Sequence, residues 1–158
     1  MPTPAQALRH VPNAREILPD IVTGGQPSAA DLEAFSLAGG GLVVDLRDPM
    51  EPRPLDEPAL AARLELEYLN VPVASGCLDD ATLDRILAVL RGAVGRTVLV
   101  HCASGSRAGA ALLAYLMLDR GLDEEEATGQ AMRAGLRSAE LLEWSLDYCR
   151  RNRPRETT

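Results

Sequence analysis

The chain has 158 residues, 46% of them hydrophobic, and a formal net charge of −7 at pH 7. This length is typical of one domain that buries its own core. The acidic balance argues against nucleic acid or an anionic membrane as the main partner, because both require a basic surface. All 16 basic residues are arginine, which excludes a Walker-type phosphate lysine and lysine-based Schiff-base or pyridoxal chemistry. We therefore expect arginine to supply any cationic chemistry at a small-molecule site.

The chain shows no pattern of a secreted, membrane or disulfide-bonded protein. Its N-terminal residues lack the apolar segment of a secretion signal, and no later stretch reaches the roughly 18 apolar residues of a membrane span. The three cysteines, Cys77, Cys102 and Cys149, are widely spaced and form no Cys-x-x-Cys pair. Such cysteines are typical of reduced thiols and not of a disulfide framework or a zinc site. The sequence predicts a cytoplasmic protein, and no pattern in it predicts an oligomeric state.

Short apolar runs alternate with segments of helical spacing along the chain. Residues 1–16, with three prolines and little periodicity, predict a mobile or draped arm. The other predicted elements are strands at 17–23, 42–46, 67–73 and 97–100, helices at 28–37, 57–66, 80–92, 107–121, 123–133 and 138–151, and a flexible tail at 152–158. This alternation predicts an α/β fold with a mostly parallel central sheet of four to five strands flanked by helices. We place the single catalytic domain at residues 17–151.

The most informative stretch is Val98-Leu-Val-His-Cys102-Ala-Ser-Gly105-Ser-Arg107, in which an apolar strand runs directly into a cysteine and small residues before a helix begins. Backbone N–H groups of such a loop, together with the positive end of a helix, favour a bound oxyanion. The same field and the nearby Arg107 favour the thiolate form of Cys102. The stretch therefore predicts a nucleophilic cysteine beneath an anion-binding loop.

Each residue of the predicted loop has a role that its chemistry favours. The loop consists of Ala103, Ser104, Gly105 and Ser106 and ends at Arg107. Gly105 allows the backbone to curl so that successive N–H groups converge, and the planar fork of Arg107 fits two oxygens of a phosphoryl or sulfuryl group. The two serines either donate hydroxyl hydrogen bonds to the thiolate or fill the loop. We expect His101 to point away from the loop and to orient its backbone.

Four separated motifs resemble a known family. His101-Cys-Ala-Ser-Gly-Ser-Arg107 resembles the signature of the cysteine-dependent protein tyrosine and dual-specificity phosphatases. Thr23-Gly-Gly-Gln-Pro-Ser28, Val43-Val-Asp-Leu-Arg47 and Asn70-Val-Pro-Val73 resemble, in order, the bacterial beta-lactamase-hydrolase-like phosphatase-like domain. The resemblance covers residues 17–135. It implies a dual-specificity-phosphatase-like fold, a phosphocysteine intermediate, no metal or other cofactor, and a phosphomonoester or other small anionic substrate.

The spacing within the loop leaves a second reaction open. Four residues separate Cys102 from Arg107, whereas the standard phosphatase pattern has five. The bacterial subfamily resembles the shorter spacing, but so do the rhodanese-type sulfurtransferases, in which the cysteine carries a persulfide. A rhodanese is expected to place another strand after its cysteine helix, and the predicted helices continue to the end of this chain, which favours the phosphatase. A non-catalytic sensor of oxyanions or phosphorylated ligands is a third alternative.

The acid that would protonate the leaving group is absent from its expected position. A dual-specificity phosphatase is expected to have aspartate two residues after Pro72-Val73, and this chain has Ser75 there. A serine cannot protonate an alkoxide efficiently, and loss of a general acid typically costs about 10²- to 10⁴-fold in rate. We expect Asp79 or Asp80 to act as the acid, although both also suit a helix N-cap. Asp48 and Glu51 are weaker candidates for the same role.

Overall fold

The computed structural model describes residues 1–153 and contains one five-stranded sheet. Its strands are β1 (Arg15–Leu18), β2 (Ile21–Gly24), β3 (Leu42–Asp45), β4 (Glu67–Asn70) and β5 (Val98–His101), in the spatial order β1-β2-β5-β3-β4. β1 and β2 are antiparallel, and the remaining neighbours are parallel. The predicted α/β class with a mostly parallel sheet is confirmed. Because β5 is central, the residue that follows it, Cys102, lies at the carboxyl edge of the sheet, where such folds place ligands.

Seven helices accompany the sheet within residues 1–153: α1 (Pro4–Ala7), α2 (Ala29–Leu37), α3 (Glu57–Arg63), α4 (Asp80–Gly92), α5 (Ser106–Arg120), α6 (Glu124–Arg133) and α7 (Ala139–Asn152). The predicted capping box of α2 is present, since the side chains of Ser28 and Asp31 each accept a hydrogen bond from the other's backbone N–H. Gly121 ends α5 in the left-handed conformation, as glycine does at many helix C-termini. Three helices in succession follow the loop, and the described chain has no further strand there.

The two faces of the sheet bury separate apolar cores, because successive strand side chains point to opposite faces. On one face, Leu42, Val44, Val98 and Val100 pack with residues of α4, α5, α6 and α7. On the other face, Val22, Val43 and Leu99 pack with residues of α1, α2 and α3. α5 is buried from Ala108 to Met117, so the helix that begins at the loop is held inside the fold.

Two predicted segments differ from the structure. The strand predicted at 17–23 is two strands, because the chain turns back at Pro19 and Asp20 between β1 and β2. The N-terminal segment predicted as a mobile or draped arm contains α1 and the start of β1, and its Leu8 and Val11 are buried in the second core. The prolines of this segment lead to the prediction of an arm without regular structure. Pro4, however, stands at the first position of a helix that Thr3 caps, where proline is favourable.

At the other end of the chain, α7 continues to Asn152, and residues 154–158 of the predicted tail lie outside the described residues. Within the part of the chain that is described, no helix has both the length and the apolar character needed to cross a membrane.

Candidate active site

The carbonyl oxygens of the loop after β5 are turned outward by donors from three parts of the fold. The pairs are His101 Nδ1 with Cys102 O at 3.2 Å, Gln26 N with Ala103 O at 3.0 Å, and Asn13 Nδ2 with Ser104 O at 2.7 Å. In a trans peptide the N–H of the next residue points opposite to the carbonyl, so the N–H groups at 103–105 face inward. The Gly105 N–H donates to Cys102 Sγ at 3.1 Å. The Gly105 N–H therefore contacts the cysteine sulfur, and the outward carbonyls account for the inward direction of the neighbouring N–H groups.

Two glycines make this loop possible. Gly105 has φ +106°, a conformation that other residues rarely adopt, and a Cβ there would lie 2.7 Å from Ala134 O. Gly25 lies under the loop, where a Cβ would come within 2.7 Å of Ala103 O. Because Gly25 has no side chain, the segment after β2 approaches the loop closely enough for the Gln26 N–H to donate to Ala103 O. The loop is thus built by β2 and the N-terminal segment as well as by its own residues.

Arg107 extends from the first turn of α5 into a partly exposed pair with Glu51. Its Nη1 and Nη2 donate to the two carboxylate oxygens of Glu51 at 2.6 and 2.8 Å, and Nη1 lies 3.5 Å from Val73 O. The bond from Arg107, opposed by partial burial, lowers the pKa of Glu51; the same bond raises the pKa of Arg107. Cys102 is 1% exposed. The Glu51 carboxylate therefore occupies the two Arg107 donors that we expect, from the sequence, to bind an anionic substrate.

An open cavity of about 760 Å³ adjoins the end of the loop at Ser106 and Arg107, and Cys102 does not line it. Its lining includes Arg107 and Ser106 from α5, the segment that carries Glu51, the predicted acid position Ser75, and the start of α7. Three carboxylates line it: Asp48, Glu51 and Glu140. This space is large enough for a phosphorylated residue or a small organic phosphate.

Neither predicted acid faces this cavity. Asp79 caps α4 by accepting hydrogen bonds from the N–H and hydroxyl of Thr82, and these bonds lower its pKa. Asp80 is paired with Arg151 of α7, which also lowers its pKa. Neither residue lines the cavity beside Arg107. The structure thus argues against the expected proton-donor role of Asp79 and Asp80, because their carboxylates are ionised and engaged elsewhere; the capping role belongs to Asp79.

A buried network of charged groups, made of Asp45, Arg47, Glu57, His101 and Tyr68, lies beneath the loop. Arg47 donates to both oxygens of Asp45 at 2.9 and 2.8 Å, and the Tyr68 hydroxyl donates to Asp45 at 2.5 Å. His101 Nε2 lies 2.5 Å from Glu57 Oε2. Asp45, Glu57 and His101 are 0% exposed, and Arg47 is 2% exposed. Burial opposes ionisation of Asp45, but Arg47, His101 and Tyr68 outweigh it and lower the pKa of Asp45 to about 2.

The same network contains three groups of the kinds that bind metals. Potential ligand atoms of Asp45, Glu57 and His101 lie within 4.8 Å of one another. Both oxygens of Asp45 already accept hydrogen bonds from Arg47, and Glu57 Oε1 accepts one from Gln26 at 2.9 Å. These internal partners satisfy the carboxylates, so the cluster fits an ion-pair network better than a metal centre.

Sequence reasoning places the loop residues together but misses their supports. His101 is predicted to orient the loop, and the structure places its ring between the Cys102 carbonyl and Glu57. Glu57 gives no local signal, because an acidic residue beside Pro58 at a helix start is ordinary. Asn13 lies in the segment predicted as an arm. The only usable signal is Asp45, a charged residue in an otherwise apolar run that is followed two positions later by an arginine.

The chain has relatives among proteins of known sequence, although no family model matches it. It is 32% identical over 120 residues to beta-lactamase hydrolase-like proteins from two strains of Xylella fastidiosa. The match covers 70% of this chain and 27% of the relatives, so the chain spans about a quarter of their length.

Solved structures share its fold over most of its length. A DUF442 phosphatase from Shewanella putrefaciens CN-32 has a TM-score of 0.79 and 19% identity, covering 92% of this chain and 96% of that one. Tk-PTP in its active form has a TM-score of 0.77 and 25% identity, covering 89% and 98%. A cysteine-to-serine variant of P. aeruginosa TpbA, solved with phosphotyrosine, has a TM-score of 0.69 and 20% identity, covering 87% and 83%.

These likenesses confirm the resemblance predicted from the motifs. The chain has the fold of the cysteine-dependent tyrosine and dual-specificity phosphatases. It is a homologue of the beta-lactamase hydrolase-like proteins.

Proposed function

We propose that the protein is a cysteine-dependent phosphatase that hydrolyses phosphomonoesters through a phosphocysteine intermediate. The observation that carries the proposal is the loop itself: the Gly105 N–H donates to Cys102 Sγ, and the two terminal nitrogens of Arg107 hold a carboxylate at the end of the loop. A phosphoryl group has three equatorial oxygens that such donors fit. The phosphatase fold of the structural relatives supports the same chemistry.

In the proposed reaction, the Cys102 thiolate attacks phosphorus and forms an S–P bond while the bond to the ester oxygen breaks. The loop N–H groups and Arg107 stabilise charge on the equatorial oxygens. The leaving alkoxide or phenoxide takes a proton from solvent water. A water molecule then attacks phosphorus and the S–P bond breaks, which releases inorganic phosphate and regenerates the thiolate. No step of this scheme calls for a metal or cofactor. We further propose that the substrate phosphate displaces Glu51 from Arg107, since both anions need the same donors.

Ser75 at the acid position has a consequence for the substrate class. With serine at that position, and with Glu51 of the cavity ion-paired to Arg107, we expect the leaving group to depart with less help, so that substrates with good leaving groups react fastest. Phenoxide is a better leaving group than an alkoxide, and we therefore propose aryl phosphates as the preferred class. The phosphotyrosine complex of P. aeruginosa TpbA supports an aryl phosphate as ligand for this fold.

The direct test is turnover of para-nitrophenyl phosphate by the wild-type protein, with inhibition by vanadate. Cys102→Ser is expected to lower the rate by roughly 10⁴-fold or more, because the hydroxyl is a far weaker nucleophile. The matched control is Cys77→Ser, which changes an exposed cysteine outside the loop and is expected to keep the rate. Formation of thiocyanate from thiosulfate and cyanide, without phosphatase activity, would instead support the sulfurtransferase. No activity in either assay would favour the non-catalytic sensor.

A second measurement tests the leaving-group argument. Ser75→Asp restores a carboxyl group at the cavity wall and is expected to raise turnover of an alkyl phosphate by about tenfold or more relative to an aryl phosphate. Ser75→Asn has the same shape but no proton to give, and serves as the control. Equal rates for the two variants on alkyl phosphate would contradict the assignment of this position.

A further inference from the structure

We propose that Glu57 is a positioning residue for Cys102: acting through His101, it keeps a positively charged imidazolium ring against the Cys102 carbonyl. This inference rests on the proposed role of Cys102 as a nucleophile and adds to it a residue from α3. Glu57 begins a helix on the opposite face of the sheet from α5, and its carboxylate reaches under the loop.

Hydrogen-bond valence fixes where the protons lie. His101 Nδ1 faces Cys102 O at 3.2 Å, and a carbonyl oxygen only accepts, so Nδ1 carries a proton. His101 Nε2 faces Glu57 Oε2 at 2.5 Å, and two atoms with lone pairs approach this closely only with a proton between them. A neutral imidazole and an ionised carboxylate together hold one proton, and these two contacts require two. The His101–Glu57 pair therefore holds one additional proton. The pair is either imidazolium with carboxylate or neutral imidazole with carboxylic acid.

The surrounding groups favour imidazolium with carboxylate. Glu57 Oε1 accepts a hydrogen bond from Gln26 at 2.9 Å and lies 3.4 Å from Arg47 Nη2, and both donors stabilise a negative charge on Glu57. Asp45 Oδ1 lies 3.9 Å from His101 Nε2 and stabilises a positive ring. Arg53 also faces this network, 3.6 Å from Asp45, and Tyr68 contributes its hydroxyl.

Glu57 supports the loop by a second route. Its bond to the Gln26 side chain holds the residue whose backbone N–H donates to Ala103 O at 3.0 Å. The first two carbonyls of the loop are thus both held outward by groups that contact Glu57. Because His101 and Glu57 are 0% exposed, water screens the charge of the ring little.

The experiment measures the reactivity of Cys102 without turnover. Alkylation by iodoacetamide is followed from pH 4 to 10 in a background that carries Cys77→Ser and Cys149→Ala, in which Cys102 is the one cysteine of the chain. In Glu57→Gln, an amide of the same shape can bond neutral His101, so the loop contacts persist while the positive charge is lost. The pH midpoint of alkylation is expected to rise by about one pH unit.

Glu33→Gln is the matched control, since it removes one carboxylate charge from an exposed position on α2. It is expected to leave the midpoint unchanged. A folded Glu57→Gln variant whose midpoint equals that of Glu33→Gln would overturn the proposal.

If Glu57→Gln does not fold, the wild-type protein decides the question. ¹⁵N NMR of the two histidines, with His10 identified by His10→Gln, is expected to show both ring nitrogens of His101 protonated at pH 7. A neutral His101 ring would overturn the proposal. Neither measurement needs phosphatase activity. If the wild-type protein is inactive but Glu57→Gln shifts the midpoint as expected, the proposed function is refuted and the role of Glu57 stands.

Discussion

Two bidentate carboxylate–guanidinium pairs flank the loop, and they differ in their access to water. Beneath the loop, Asp45 and Arg47 are almost fully buried; above it, Glu51 and Arg107 are 29% and 19% exposed. The chemistry of the two pairs is the same. Burial makes separation of the lower pair costly, because each charge would lose its partner in a dry environment, whereas water and ions can replace either partner of the upper pair. The lower pair is therefore suited to hold the loop and the upper pair to exchange with a ligand.

The largest expected difference is in stability. Asp45→Asn leaves the buried Arg47 with only its longer contact to Glu57, at 3.4 Å, and is expected to lower the free energy of unfolding by about 3–5 kcal/mol. Glu51→Gln, the matched change in the upper pair, is expected to lower it by less than about 1 kcal/mol. Urea denaturation at pH 7 measures both values. Equal losses for the two variants would remove the distinction between the pairs.

The pH dependence of stability sharpens the same contrast. The folded-state pKa of Asp45 is about 2, below the ordinary value of about 3.9, so its ionised form stabilises the fold. This contribution, about 2 kcal/mol, is complete above roughly pH 5 and is lost as the pH falls toward about 2. The lowered pKa of Glu51 acts in the same direction. Unfolding free energies measured from pH 6 to pH 2 should fall less steeply in Asp45→Asn than in the wild type, and parallel curves would contradict this assignment.

The smallest expected effect concerns ligand binding at the upper pair. Glu51 competes with an oxyanion for Arg107, so Glu51→Gln is expected to tighten inhibition by inorganic phosphate or vanadate by a factor of about three to ten. Glu140→Gln removes a carboxylate from the same cavity while the Arg107–Glu51 bonds stay in place, and it is expected to change inhibition less. Weaker inhibition in Glu51→Gln would show that Glu51 serves to hold Arg107 in place and not to compete with the ligand.

The elements that could be predicted are those whose signals are local. The Ser28–Asp31 capping box, Gly121 at the end of α5 and the apolar spacing of α4 each act within a few turns of helix, and the structure contains all three helices near the predicted bounds. The turn at Pro19 is not predicted, because the apolar residues on both sides of it read as one continuous strand. The packing of the N-terminal segment escapes it because the buried Leu8 and Val11 have no periodic neighbours.

The candidate site divides in the same way. Cys102, Gly105 and Arg107 lie close together in the chain, and the need for an inward-curling loop before a helix fixes their relation from the sequence by itself. Asp79 and Asp80 are predicted near the loop because they follow Ser75, the acid position of the family pattern, by only four and five residues. A helix cap and an ion pair with α7 direct them away. That outcome depends on where α7 packs.

The sequence by itself determined the class of fold and the loop that begins after Cys102, because these depend on residues that are neighbours in the chain. Only the tertiary structure decided which groups support that loop: Asn13, Gln26 and Glu57 come from three separate segments and meet it through long-range contacts. It also decided that Arg107 is paired with Glu51. Such pairings depend on the packing of distant elements and on burial, neither of which a local pattern of residues specifies.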